Sequence, residues 1–257
     1  MRYFLTLIML LAWPAAAETT AFDVDDRRYH VRTPAKWDGQ TPLPVLLHFH
    51  GWGRNGEQVT RNKRVYGAAD AHQMLLVAPD ARGRSFDFWA PDSADLPFID
   101  ALTLDVAERF PILDEQIYVS GFSWGGAMAW RLACARGDRY RTYLPIAGHL
   151  YSQENEECDA GPIDIVHVHG LKDTVVDPVP GTAEEPWRAV SLWHEINQCD
   201  AAAEQRAEWN TYDCAEWSCD SGKLTRVCLH PRGHAIPKDW LSLILADLLA
   251  ANGASAN

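Results

Sequence analysis

The sequence contains no apolar run of membrane-spanning length: its N-terminal stretch from Phe4 to Trp13 falls short of the ~20 residues a spanning helix needs. A lone Arg2 precedes that stretch and Ala15-Ala16-Ala17 closes it before Glu18, so residues 1–17 read as a cleaved signal peptide and the mature chain as secreted or periplasmic. The chain also lacks a Pro/Ser/Thr-rich linker and any internal repeat, and residues 18–257 are expected to form a single domain. Basic residues are in deficit, 23 Lys and Arg against 35 Asp and Glu for a formal charge of −12, which argues against nucleic-acid and anionic-membrane partners. Closely paired cysteines of the structural-zinc kind are absent too: Cys214 and Cys219 stand too far apart.

The six cysteines that are there, Cys134, Cys158, Cys199, Cys214, Cys219 and Cys228, form an even set in an exported chain and predict disulfides. The sequence leaves their pairing open. Four of them crowd between Cys199 and Cys228, where a long irregular segment gains most from cross-linking and could serve as a lid.

Along the mature chain, a polar-apolar alternation from Phe22 to Val31 predicts an edge strand. The continuous apolar run Val45 to Phe49 predicts a strand buried on both faces. Similar runs recur at Met74 to Ala78, Ile117 to Val119, Tyr143 to Ala147, Ile163 to Val168 and Leu224 to Leu229. Helical patterns separate several of them, ending near Ala71 and covering Phe98 to Phe110, Trp124 to Ala135, Trp187 to Asn197 and Trp240 to Ala250. Such alternation implies a mainly parallel sheet with helices on both faces, and an active site at the carboxyl ends of its strands.

Gly121-Phe122-Ser123-Trp124-Gly125 falls at one of those ends, between Ile117-Tyr118-Val119 and the helical run from Ala127. This is the setting of a nucleophile elbow, a sharp turn that lifts a serine Oγ clear of the sheet towards a base. The turn presses the residues two before and two after the serine against neighbouring backbone, so Gly121 and Gly125 have no room for a Cβ. The bare pattern arises by chance in roughly one chain in ten of this length. Its flanks therefore carry the argument.

An activated serine needs a base, and the base an orienting carboxylate. After the strand ending at His169, the sequence offers Asp173 and Asp177; Asp173 is favoured as nearer the strand end, with apolar residues following that bury it. After the last strand, His234 follows Gly233 in a loop, whereas His230 still belongs to the strand, so His234 is the expected base. The order Ser123, Asp173, His234 is that of α/β-hydrolases. Two oxyanion donors are expected: the backbone N–H of Trp124, after the nucleophile, and that of Trp52 in His50-Gly51-Trp52-Gly53.

His48 and His50, like His167 and His169, are spaced two apart on strands. Rather than a four-histidine metal site, the expectation is imidazoles bonded to loop backbone beside each His-Gly turn. Of the eleven tryptophans, Trp52 and Trp124 stand beside the expected oxyanion site, and Trp89 lies in the loop after Asp80. All three are candidates to hold an aromatic or sugar-bearing substrate.

The runs Phe98-Ile99-Asp100-Ala101-Leu102, Asp105-Val106-Ala107 and Phe110-Pro111-Ile112, then Ile117 to Ser123 and Gly125-Gly126-Ala127-Met128, resemble those of the secreted esterases grouped with polyhydroxybutyrate depolymerases and feruloyl or acetylxylan esterases. His169-Gly170 with Asp173, and Gly233-His234 with Pro237, extend the resemblance over nearly the whole mature chain. It implies an α/β-hydrolase fold, no cofactor, a small-molecule or polymeric ester substrate, a triad at Ser123, Asp173 and His234, and oxyanion donors at Trp52 and Trp124. Trp124 departs from the small residue or asparagine usual there, and the stretch Cys214 to Cys228 is richer in cysteine than usual. Competing expectations are a peptidase on the same fold and a noncatalytic saccharide-binding protein. With no separate polymer-binding module legible, soluble or plant-wall esters are favoured over crystalline polyester.

Overall fold

The computed structural model describes residues 17–90, 92–150, 158, 160–176, 188–205, 209 and 211–255. Residues 1–16 of the expected signal, Asp177 and Trp187 lie outside them. The strands are β1 (Thr19–Val24), β2 (Arg27–Arg32), β3 (Leu43–Phe49), β4 (Leu75–Pro79), β5 (Ile112–Phe122), β6 (Thr142–Ile146), β7 (Ile165–Gly170), β8 (Glu204–Gln205), β9 (Asp213–Trp217) and β10 (Thr225–His230). The helices are α1 (Gly56–Thr60), α2 (Lys63–Ala71), α3 (Asp95–Arg109), α4 (Trp124–Arg136), α5 (Arg188–Ile196) and α6 (Trp240–Ser255).

All ten strands join one sheet in the order β1-β2-β4-β3-β5-β6-β7-β10-β9-β8. The run from β4 through β10 is parallel, and antiparallel pairs close both edges. Side-chain alternation splits the core into two layers. Val45, Leu47 and Phe49 of β3, with Leu75, Val77 and Val119, face α3, α4 and α5. Leu46, Leu76, Tyr118, Leu144 and Val166 face α2 and α6 on the other side. Continuous apolar strands are what such two-sided burial selects. Helix α4 is buried along almost its whole length, Gly125 to Cys134, which explains its lack of a polar face.

The sequence pattern and the fold part in three places. Phe22 to Val31 is a hairpin, not one strand: Val24 pairs Arg27 across Asp25 and Asp26, with Asp25 at φ 54°, a conformation that aspartate tolerates better than most residues. β5 begins at Ile112, its first half disguised by the exposed Asp114 and Glu115. The segment from Cys199 to Cys228 is not wholly irregular, since it supplies β8 and β9.

Three disulfides join Cys134 to Cys158, Cys199 to Cys219 and Cys214 to Cys228. The last links facing residues of β9 and β10. Trp217, Cys219, Gly222 and Leu224 line a cavity with Thr142 and Asp164, at the amino ends of β6, β7 and β10. That part of the cysteine-rich segment is therefore at the opposite end of the sheet from Ser123, and does not cover it. Closing the 20-residue separation between Cys199 and Cys219 stabilises by about 3 kcal/mol in the chain-entropy account. The double substitution Cys199→Ala/Cys219→Ala should lower the urea midpoint accordingly; an unchanged midpoint would show that the bridge is energetically idle.

Candidate active site

Ser123 stands between β5 and α4 at φ 58° and ψ −119°, a region that non-glycine residues enter only when their surroundings enforce it. Its N–H donates to the Ile146 carbonyl at 2.9 Å, and its own carbonyl accepts from Ala127 at 2.9 Å. These two bonds lock the turn. A Cβ on Gly121 would lie 2.0 Å from the Gly125 carbonyl oxygen, as the tight elbow requires; one on Gly125 would instead strike the Phe49 carbonyl oxygen at 2.1 Å, at the end of β3.

The loop after β7 delivers the carboxylate. Leu171 N–H donates to His230 at 2.8 Å and Lys172 N–H to Arg232 at 3.0 Å, so the β7 and β10 loops run side by side. Across that seam, Asp173 Oδ2 lies 2.7 Å from His234 Nδ1, and His234 Nε2 lies 2.8 Å from Ser123 Oγ. The Val175 and Val176 amides donate to Asp173 Oδ1 at 2.8 and 3.1 Å. Burial pushes the Asp173 carboxyl up, but the hydrogen bond to His234 and these two amides outweigh it and hold its pKa below the ordinary value. The Phe122 ring backs the imidazole at 4.8 Å.

Phe49 pairs with Gly121 in register, which brings the loop His50 to Gly53 beside Ser123. Among the described residues, the Trp52 and Trp124 amides have no acceptor. The Trp124 amide also opens α4, where the helix dipole favours negative charge. The indoles gather as well: Trp52 and Trp89 lie 4.3 and 5.1 Å from Trp124, and Phe88 lies 5.5 Å from it. Trp52 and Trp89 are 48% and 45% exposed, leaving indole surface open to solvent next to the serine. A buried ion pair holds the Trp89 loop. Arg27 meets Asp95 at 2.5 Å and donates to the Asp80 carbonyl at 2.9 Å, while Asp95 accepts from the Asp87 amide.

The structure thus brings Ser123, Asp173, His234, Trp52, Trp124 and Trp89 to one place at the strands' carboxyl ends. His230 remains on β10, turned to the Arg232 amide at 3.3 Å, and burial, reinforced by His169, lowers its pKa to about 4. His50 bonds the Gly51 carbonyl at 2.8 Å, as its His-Gly turn suggested. His169 faces His167 and Asp173 and also hydrogen-bonds the backbone of Val176 in the loop that follows its His-Gly turn. Sequence reasoning also missed Arg27 and Asp95, whose 68-residue separation hides their pairing.

Strand order, elbow and loop placement are those of the α/β-hydrolases, and the chain has that fold. Its sequence is similar to those of feruloyl esterases. It is 30% identical over 166 residues to feruloyl esterase C of Emericella nidulans, covering 62% of this chain and 58% of that protein. With feruloyl esterase D of Neurospora crassa it shares 25% identity over 177 residues, covering 63% and 59%. The chain thus spans under three fifths of the length of these curated relatives. No protein-family model matches it. Among solved structures, the acetyl xylan esterase from Aspergillus awamori superimposes with a TM-score of 0.67 at 12% identity, covering 86% of this chain and 95% of that one, a likeness of fold.

Proposed function

We propose that the chain is an exported carboxylic-ester hydrolase of the feruloyl esterase type, acting through Ser123, His234 and Asp173 by way of an acyl-enzyme. The observation that carries this reading is the unbroken series Asp173 Oδ2, His234, Ser123 Oγ, with links of 2.7 and 2.8 Å. Three disulfides fit an oxidising compartment.

In acylation, His234 Nε2 takes the Ser123 proton as Oγ attacks the ester carbonyl. Asp173 holds the ring with Nδ1–H towards itself and offsets the charge of the imidazolium. The carbonyl oxygen, now an oxyanion, accepts from the Trp52 and Trp124 amides, for which no acceptor competes among the described residues. His234 then gives its proton to the departing alcohol. Water repeats the sequence on the acyl-enzyme, with His234 as base, and releases the acid.

The exposed indoles of Trp52 and Trp89 favour a flat aromatic group such as a ferulate ring. An aromatic contact of this kind contributes about 0.5–1.5 kcal/mol. Trp52→Ala and Trp89→Ala are therefore expected to raise KM for methyl ferulate about three- to tenfold, with p-nitrophenyl acetate little affected. Equal loss on both esters would remove the aromatic-pocket argument. The activity is tested by hydrolysis of p-nitrophenyl acyl esters, methyl ferulate, acetylated xylan and a hydroxybutyrate oligomer by the wild type and Ser123→Ala. Absence of ester cleavage by folded wild type would refute the reading.

A further inference from the structure

The loop between β4 and α3 lies against the loop that carries Trp52, and it brings a cation to the mouth of the site. Gly53 N–H donates to the Arg84 carbonyl at 2.7 Å. The Arg84 guanidinium stands over the Trp52 ring, 5.2 Å from its centre, and a Cβ on Gly53 would lie 4.0 Å from Arg84 Nη2. Two residues before Gly53, a Cβ on Gly51 would lie 3.6 Å from the Ser123 Cβ. Arg84 is exposed, so its charge faces solvent a single loop away from the nucleophile.

Among the described residues, no carboxylate lies within ion-pair reach of this guanidinium, and none of its N–H groups has an acceptor. Arg54 is in the same condition, exposed at the end of a turn that its own N–H closes onto the Gly51 carbonyl at 3.1 Å. The nearby acids of the Arg84 loop are engaged elsewhere: Asp80 accepts from the Gly56 amide at 2.6 Å, and Asp87 from the Ala90 amide at 3.2 Å. Arg82 provides the contrast. It is exposed in the same loop, and both Asp26 oxygens lie 2.6 Å from its Nη2. In a chain of formal charge −12, a guanidinium left without a carboxylate at the mouth of the site is set for an anion from outside. Contact through its face with Trp52 leaves the edge N–H donors for a second group, and their fork matches a carboxylate.

We propose that Arg84 is a specificity-determining residue that takes a carboxylate carried by the substrate, with Arg54 adding to the local positive field. This rests on the reading of the chain as an ester hydrolase acting through Ser123. Beyond its carbonyl, the acyl group of a ferulate, acetate or hydroxybutyrate ester carries no charge, so the carboxylate comes with the alcohol. The substrate class is therefore an ester whose alcohol is itself an acid. Two sources share that chemistry: a hydroxyl of a uronate sugar, and the carboxyl-terminal unit of a hydroxyacid oligomer. Trp52 couples the two ends of such a substrate, because its ring seats the guanidinium while its amide is the proposed donor to the oxyanion.

The test is the ratio of kcat/KM within matched pairs of esters. One pair is acetylated methyl galacturonoside against acetylated methyl galactoside; the other is the hydroxybutyrate dimer against its terminal carboxamide. At low salt the wild type should favour the acid by about three- to tenfold in at least one pair, as a solvent-facing ion pair with forked geometry allows. The pair that shows the preference identifies the source. Salt should shrink it. Arg84→Gln should bring the ratio to about one, and Arg84→Lys, which keeps the charge but not the fork, should retain part of it. Arg82→Gln removes a charge from the same loop and should leave the ratio as it is. Both members of a pair are read on one protein, so any loss of folded enzyme cancels. Equal rates within both pairs, cleavage of no member of either pair, a ratio that survives Arg84→Gln, or an equal fall in Arg82→Gln would overturn the inference. Failure of the hydrolase reading would look different: the wild type would leave p-nitrophenyl acetate intact as well.

Discussion

Replacing Ser123 by alanine is expected to lower kcat on a p-nitrophenyl ester by roughly five to six orders of magnitude while the protein stays folded. The substitution removes the attacking oxygen and nothing that holds the elbow. The turn is fixed by backbone bonds from Ser123 to Ile146 and from Ala127 to Ser123, and alanine keeps the same Cβ at φ 58°. The Trp52 and Trp124 amides stay in place, so a small residual rate above the uncatalysed one should survive. Thermal unfolding close to that of wild type, measured alongside the rate, separates loss of chemistry from loss of structure. Residual activity above about a hundredth of wild type, far beyond what the oxyanion donors supply, would mean that Ser123 is not the nucleophile.

Asp173→Asn is expected to cost about four orders of magnitude in kcat, with KM little changed, for a reason specific to this loop. The Val175 and Val176 amides both point at Oδ1, so the asparagine carbonyl takes that position and its NH2 takes the place of Oδ2. A donor then faces His234 Nδ1. The ring answers by accepting there and carrying its proton on Nε2, where it can no longer take the proton of Ser123. Asp177→Asn is the control and should remain close to wild type. Reversal of the two results, with Asp177→Asn inactive and Asp173→Asn active, would transfer the orienting role to Asp177.

Much of this arrangement was legible in the residues because strand-end chemistry follows local rules. Gly121 to Gly125 marks the elbow without knowledge of the sheet, and two-sided burial writes β3, β4 and β7 as apolar runs. The order of Ser123, Asp173 and His234 supplied the rest of the site. What stayed hidden depends on contacts distant in sequence. Asp25 and Asp26 do not announce a hairpin, because the alternation of Phe22 to Val31 runs on through them. The Asp95 partner of Arg27 is visible only once the Trp89 loop has folded across β2. His167 and His169 were legible as a same-face pair, but nothing local to them shows that His167 meets the Pro145 carbonyl.

Two of the cross-links, Cys199–Cys219 and Cys134–Cys158, and the chemistry occupy opposite poles of the sheet. Cys219 sits among the amino ends of β6, β7 and β10, and Cys134 lies near the far end of α4 from Ser123. A reductant that opens these bridges therefore shortens the working life of the molecule before it touches the rate of any single turnover. Durability and speed are separately adjustable in this chain: an engineer can harden one pole against heat or proteases and reshape the indole-lined mouth at the other, with little trade between them.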